Sequence, residues 1–287
     1  MPFPSTACSR LAHAKLNLAL SVGSPTPPKW YHPIASWMVL LDLADTVEFL
    51  PPEPGLTHEI RWAADAPKPS PIDWPIERDL AVRAWRLVAD RLPALRLRVT
   101  KRVPVGGGLG GGSSDAAAVL LLARHLEPSL TLDVVLAAGA TLGSDVPFFV
   151  KAEESRRSMV VSGVGEQVMP VARPIQAMGV DLVLPRFGCP TAEVYRRWDE
   201  LNLSFSEPDM DAVHSLVNTP FDPAGCFNDL EAPASALYPE LARWLAEIRS
   251  TGRHALLAGS GSTIASFGPP LHAPPGECGL IRTSILV

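Results

Sequence analysis

Between residues 104 and 115 the chain reads Pro104-Val-Gly-Gly-Gly-Leu-Gly-Gly-Gly-Ser-Ser-Asp115, with six glycines in seven consecutive positions. Glycine has no Cβ, so this backbone can take positive φ and approach a ligand closely. Successive N–H groups can then turn inward on an anion. An alternating apolar run, Leu95, Leu97 and Val99, leads into the loop, and an Ala- and Leu-rich helical pattern leaves it near Ser113 or Ser114. A helix start adds free N–H donors and the positive end of a dipole. The arrangement suits a di- or triphosphate. A bare linker would not be framed by a strand and an amphipathic helix.

Three other glycine-rich loops fail on context. A P-loop needs lysine six residues after its first glycine, and Ser113 stands there when the count starts at Gly107. The dinucleotide fingerprint is formally present at Gly106, Gly108 and Gly111. It requires a following strand ending in an acidic residue, whereas 132–142 reads as a second helix. A protein-kinase loop requires downstream V-A-I-K, H-R-D and D-F-G motifs, which the sequence lacks.

The bulk numbers narrow the class. A length of 287 residues suggests one large or two modest domains, and 47% hydrophobic with 19% charged residues is a globular composition. A formal charge of −5 and no basic run argue against nucleic acid and against a polybasic membrane anchor. No apolar stretch approaches the roughly 18 residues of a membrane span. The opening residues show neither a basic nor an apolar signal region. Cys8, Cys189, Cys226 and Cys278 form no zinc spacing and no C-x-x-C pair. Isolated thiols fit a reducing, cytoplasmic setting. Prolines cluster at 25–33, 51–54, 67–75 and 269–275, which read as loops.

Residues 10–22 alternate with period two, the mark of a strand. Ala12, Ala14, Leu16, Leu18, Leu20 and Val22 form one face, and His13, Lys15, Asn17 and Ala19 the other. Lys15 and Asn17 therefore share a side. Residues 34–50 continue as one or two strands. Leu80, Ala84, Leu87, Val88 and Arg91 recur at helical spacing within 77–91. Helices are expected near 114–126 and 131–142, and 143–149 is expected to end the helix and start new strands. Beyond it, strands are expected at 159–161, 180–185, 255–258, 263–267 and 281–286, with helices at 191–201 and 230–249.

The glycine loop resembles the phosphate loop of the GHMP kinases, a superfamily of small-molecule ATP-dependent kinases. Further segments resemble one family within it, the 4-diphosphocytidyl-2-C-methyl-D-erythritol kinases. They are Ala14-Lys-Leu-Asn-Leu-Ala-Leu20, Trp30-Tyr-His32, Asp79-Leu-Ala-Val-Arg-Ala84 and Leu142-Gly-Ser-Asp-Val-Pro147. Gly163-Val-Gly-Glu166, Pro190-Thr191, Asn228-Asp-Leu-Glu231 and Gly259-Ser-Gly-Ser-Thr263 follow in family order. The resemblance runs from about residue 12 to residue 267. It implies a two-domain α+β GHMP kinase architecture with the active site in the cleft between domains. A boundary near residue 155 would divide an N-terminal ATP-binding and catalytic domain, 1–155, from a C-terminal α+β domain, 156–287.

The implied activity is phosphorylation of the 2-hydroxyl of a CDP-linked methylerythritol, a step of non-mevalonate isoprenoid biosynthesis, with ATP and Mg²⁺. The partner would be that small CDP-linked sugar alcohol, with no nucleic acid and no membrane; oligomeric state is left open. By resemblance Lys15 and Asp145 are catalytic. Pro104, Val105, Gly106, Gly107, Gly108, Leu109, Gly110, Gly111, Gly112, Ser113 and Ser114 would bind ATP, with Ser114 a candidate Mg²⁺ contact. Asn17, Tyr31, His32, Thr191 and Tyr195 would bind the substrate, and the turn at 259–263 would lie near the phosphates. Valine at Gly108 or Gly111 is expected to harm ATP binding more than the fold. Three features depart from the family. Asp79 replaces an Asn expected at the adenine, Trp30 replaces a Gly, and Pro-rich 268–279 stands where a helix is usual. Read from the residues alone, Asp145 is equally a turn cap, and Tyr31-His32 reads as a surface turn between prolines ahead of a substrate contact. Another small-alcohol kinase, acting on homoserine or mevalonate, and a silent sensor on the same fold are the alternatives.

Overall fold

A computed structural model describes residues 8–25, 27, 31–203 and 207–286; Trp30 lies outside the described residues. In chain order the first half carries β1 (Cys8–Val22), β2 (Ile34–Leu50), β3 (His58–Trp62), α1 (Leu80–Val88), β4 (Arg96–Lys101), α2 (Gly111–Leu126), α3 (Leu132–Leu142) and α4 (Val146–Ser155). The second half carries β5 (Met159–Gly163), β6 (Gln167–Pro170), β7 (Gly179–Leu184), α5 (Thr191–Glu200), α6 (Met210–Asn218) and β8 (Phe227–Asn228). It closes with α7 (Glu231–Leu237), α8 (Pro239–Ser250), β9 (His254–Leu257), β10 (Ile264–Phe267) and β11 (Gly279–Ser284). Two compact units emerge. The first holds the described residues through Ala14, with Leu43–Pro104 and Gly110–Glu154; the second holds Lys15–Asp42, Val105–Leu109 and the described residues from Ser155 onward.

In the first unit the end of β2 pairs antiparallel with β4, from Thr46 opposite Thr100 to Leu50 opposite Arg96, and β3 pairs parallel with β4. Asp79 caps α1 by accepting from the Val82 amide. Ala81, Ala84, Trp85 and Val88, at i, i+3, i+4 and i+7, form its buried stripe. Leu87, expected on that stripe, falls outside it and is 52% exposed. Trp85 packs on Phe49 with ring centroids 4.9 Å apart. The run 116–123 is buried on every face of α2, which its Ala and Leu content allows without loss of helix propensity.

Two expectations need correcting here. Helix α2 begins at Gly111, earlier than Ser113, with Gly110 in the left-handed region as its cap. The segment expected to start strands at 143–149 instead enters α4. Pro147 lies in that helix's first turn, where its missing N–H costs no intrahelical bond. The Phe149 amide donates to the Asp145 carbonyl at 3.2 Å.

In the second unit four antiparallel strands run in the order β11-β7-β10-β9. Val183, Leu257 and Ile264 on this sheet share a core with Val194 and Trp198 of α5 and Leu241, Leu245 and Ile248 of α8. The start of β2 pairs with β5, and β8 pairs parallel with β1 at Ala19 and Leu20. The single helix expected over 230–249 is two. Tyr238, with φ −127° and ψ 83°, breaks it, because proline disfavours helical geometry in the residue before it. The Pro-rich stretch 268–278 holds no helix or strand.

Candidate active site

Strand β1 sets Lys15 and Asn17 on one side, and both are buried, so this face of the strand is not a solvent face. Lys15 Nζ donates to Asn17 Oδ1. Asn17 Nδ2 donates to Ser36 Oγ at 2.8 Å, and Ser36 Oγ donates to the Ala19 carbonyl at 2.6 Å. This relay orients the Asn17 amide, so its oxygen faces the ammonium. The Lys15 backbone N–H donates to the Leu109 carbonyl at 2.9 Å.

Gly106, Gly108 and Gly110 have φ of 72°, 77° and 73°, the left-handed region that the run of glycines anticipated. A Cβ on Gly108 would stand 1.9 Å from the Ala258 carbonyl oxygen. The Thr263 amide donates to the Gly107 carbonyl at 3.3 Å, and a Cβ on Gly259 would lie 3.1 Å from Lys15 Nζ. The turn at 259–263, which joins β9 and β10, therefore rests on the glycine loop and beside the Lys15 ammonium. Asn228 fastens it, its Nδ2 donating to the carbonyls of Leu257 and Gly259 at 2.7 Å each. At the start of α2, Ser114 Oγ is buried and has no hydrogen-bond partner among the described residues.

Ahead of the second substrate segment, Tyr31 is 58% exposed. The His32 ring packs against Tyr195 of α5, with centroids 4.9 Å apart and planes at 46°. Thr191 Oγ1 lies 3.0 Å from Ser260 Oγ. Thr191, Tyr195 and His32 thus come together with the turn at 259–263. Asp145 immediately precedes α4. Asp79 is committed locally: Oδ1 caps α1 and Oδ2 accepts from Trp74 Nε1 at 3.0 Å.

The family model described as the GHMP kinases N terminal domain matches residues 79–153. A 4-diphosphocytidyl-2-C-methyl-D-erythritol kinase of Methylorubrum extorquens is 35% identical over 290 residues, covering 95% of this chain and 94% of its own. This chain belongs to the 4-diphosphocytidyl-2-C-methyl-D-erythritol kinase family. A crystal structure of a 4-(cytidine 5'-diphospho)-2C-methyl-D-erythritol kinase is 30% identical, with TM-score 0.71 over 97% of this chain and 99% of that one. The L. major mevalonate kinase, solved with R-mevalonate, shares the fold at TM-score 0.64 and 15% identity, covering 100% of this chain and 99% of that one.

One group in this family member was missed by sequence reasoning. Lys101, at the end of β4, donates to both Asp45 of β2 and Asp115 of α2, and all three side chains are buried. Asp45 also accepts from the Arg102 amide and, at 2.8 Å, from the Val103 amide. The cluster fastens the strand that enters the glycine loop to the helix that leaves it. Burial alone would lower the Lys101 pKa. The carboxylates of Asp115 and Asp45 outweigh this and hold it above the usual lysine value. Burial pushes Asp115 well above the usual carboxylate range against the attraction of Lys101, and the charge of Asp45 adds to the rise. Positions 45, 101 and 115 are far apart in sequence, and no local pattern links them. In the alternation of β4, Lys101 falls on the face of Leu97 and Val99, and a charge on that apolar face was the one signal in the sequence.

Proposed function

We propose that this chain transfers the γ-phosphoryl group of ATP to the 2-hydroxyl of 4-diphosphocytidyl-2-C-methyl-D-erythritol, in non-mevalonate isoprenoid biosynthesis. The observation that carries the reading is the packing of Gly107–Leu109 against the Lys15 strand and the turn at 259–263. It leaves a glycine backbone beside a buried ammonium, in a chain whose relatives bear this kinase's name.

In this reading the loop from Pro104 to Ser114 cradles the phosphates with backbone N–H groups. Asp145 accepts the proton of the substrate hydroxyl as its oxygen attacks the γ-phosphorus. The bond from that phosphorus to the β-phosphate oxygen breaks, and ADP leaves. Lys15, held by Asn17, stabilises negative charge on the transferring group. Tyr31, His32, Thr191 and Tyr195 receive the cytidine end of the substrate. Residues 1–155 supply the ATP-binding and catalytic groups, and residues 156–287 form the α+β part that carries Thr191 and Tyr195. Ser114 Oγ, buried and unpartnered among the described residues, fits a Mg²⁺ contact at the start of α2. Bound with ATP, Mg²⁺ neutralises charge on the β- and γ-phosphates.

A small-molecule partner, with neither nucleic acid nor membrane, fits the charge of −5 without a basic run. Among the described residues no helix is long and apolar enough to cross a membrane. A cytoplasmic location fits the four scattered cysteines, all free of disulfides. The test is ATP turnover with 4-diphosphocytidyl-methylerythritol, homoserine and mevalonate side by side. The proposal expects turnover with the first alone. Turnover with homoserine or mevalonate instead assigns another GHMP activity, and binding without turnover makes the chain a sensor.

A further inference from the structure

We propose that Asp199 is a positioning residue that fixes the tautomer and direction of His32, and so selects cytosine over uracil in the substrate head group. The proposal rests on the functional reading above. Asp199 lies one helical turn beyond Tyr195 on α5, so both side chains share a face of that helix. Tyr195 covers one side of the His32 ring. Asp199 Oδ1 meets His32 Nε2 at 2.9 Å. The imidazole is 9% exposed, whereas the Asp199 side chain is 45% exposed.

An ionised carboxylate can only accept a hydrogen bond. Nε2 must therefore carry a proton, and with a single proton on the ring Nδ1 presents a lone pair. A lone pair accepts from the exocyclic amine of cytosine. Facing the corresponding carbonyl oxygen of uracil, it meets another lone pair. Without Asp199 the ring is free to adopt the opposite tautomer, whose Nδ1–H donates to uracil, and to turn on its own axis. A site that reads a base edge through one committed hydrogen bond rejects the mismatched base because the polar pair is left unmade.

The experiment measures kcat/KM for the cytidine-linked substrate and for its uridine-linked counterpart, together with KM for ATP. The proteins are the wild type, Asp199→Ala, Asp199→Asn and His32→Ala. The proposal expects Asp199→Ala to raise KM for the cytidine substrate about tenfold and to reduce cytosine selectivity by a similar factor. KM for ATP and kcat stay at the wild-type values. Asp199→Asn, whose amide can accept from Nε2–H or, turned over, donate to a bare Nε2, holds the ring but not its tautomer, and is expected to restore KM for the cytidine substrate more than selectivity. Unchanged selectivity in Asp199→Ala, or an equal rise in KM for ATP, overturns the proposal. If His32→Ala loses selectivity while Asp199→Ala does not, the role of Asp199 falls and the functional reading stands. A wild type that turns over neither substrate overturns both.

Discussion

The backbone N–H of Lys15 donates to the carbonyl of Leu109 at 2.9 Å. Leu109 is the one side chain within the run of six glycines, and it is fully buried. The loop is thus tied at its centre, through the main chain, to the strand that carries the ammonium, and its one side chain is buried. The flanking glycines keep the freedom to present their N–H groups. In the function proposed above, this tie preorganises a loop rich in glycine, as electrostatic stabilisation of a transferring phosphoryl group requires.

Asp145→Asn is expected to fold normally and to lose about 10²–10⁴-fold in kcat, the usual range for removing a general base. The amide keeps the shape of the carboxylate and cannot take the hydroxyl proton. Thermal unfolding and steady-state kinetics check this together. A variant that keeps more than about a tenth of wild-type kcat removes Asp145 from the base role.

Gly108 is a point at which the structure revises an expectation. A Cβ there would stand 1.9 Å from the Ala258 carbonyl oxygen, at a residue whose φ is +77°. No rotamer relieves a clash with backbone. Gly108→Ala is therefore expected to lose stability itself, by about 2–5 kcal/mol from overpacking and left-handed strain, as well as affinity for a non-hydrolysable ATP analogue. At Gly106 the nearest atom to such a Cβ is 3.9 Å away, so Gly106→Ala carries only the conformational cost, about 1–2 kcal/mol. Urea titrations of both variants check the order; equal losses would contradict it.

The Lys101 cluster predicts a pH dependence. Asp115 has its pKa raised in the folded chain by burial and by Asp45, against Lys101. The folded state then holds that proton more tightly than the unfolded chain does. Its contribution to stability is greatest below the ordinary carboxylate value near pH 4 and falls as pH rises through the raised one. Asp115→Asn removes that slope. The stability of the variant relative to wild type should therefore rise with pH above about 4. Unfolding free energies of both proteins from pH 4 to 8 measure it, and a difference that stays constant or falls contradicts the assignment. Lys101, raised as well, keeps its charge throughout this window and adds no slope.

Asn228→Ala strips the donor from two backbone carbonyls, Leu257 and Gly259, that the side chain serves at 2.7 Å each. Each buried acceptor left unpaired costs about 1–3 kcal/mol. Loss of roughly 2–4 kcal/mol in unfolding free energy is expected, with a raised KM for ATP because the turn it fastens rests on Gly107 and Gly108. An Asn228→Asp variant cannot donate either bond and should behave similarly; wild-type stability in both would leave the turn held by other groups.

What could be read in advance follows the reach of each signal. The alternation through Lys15 and Asn17 is local, and β1 follows it, although burial of both faces depends on partners the alternation does not name. The glycines at 106, 108 and 110 announced positive φ, and they have it. Pro147 misled because proline reads as a breaker by itself and as a helix starter only when its position in the first turn is known. Tyr238 divides α7 from α8 for the opposite reason, since Pro239 acts on the residue before it. Helix α6 was not anticipated at all, and Asp209, which caps it by accepting from the Ala212 amide, was the signal overlooked. The cluster of Asp45, Lys101 and Asp115 and the pair of His32 with Asp199 could not be assembled from the sequence, because each depends on elements that only the tertiary fold brings together.

The central claim is the identity of the acceptor atom, and phosphorus NMR of the product tests it most directly. Incubation with ATP and 4-diphosphocytidyl-2-C-methyl-D-erythritol should produce ADP and one new phosphomonoester resonance in equal amounts. Carbon–phosphorus coupling should assign the phosphate to carbon 2 of the methylerythritol, with the diphosphate bridge intact. ADP accompanied by inorganic phosphate alone, or a phosphomonoester on any other oxygen, would contradict the account.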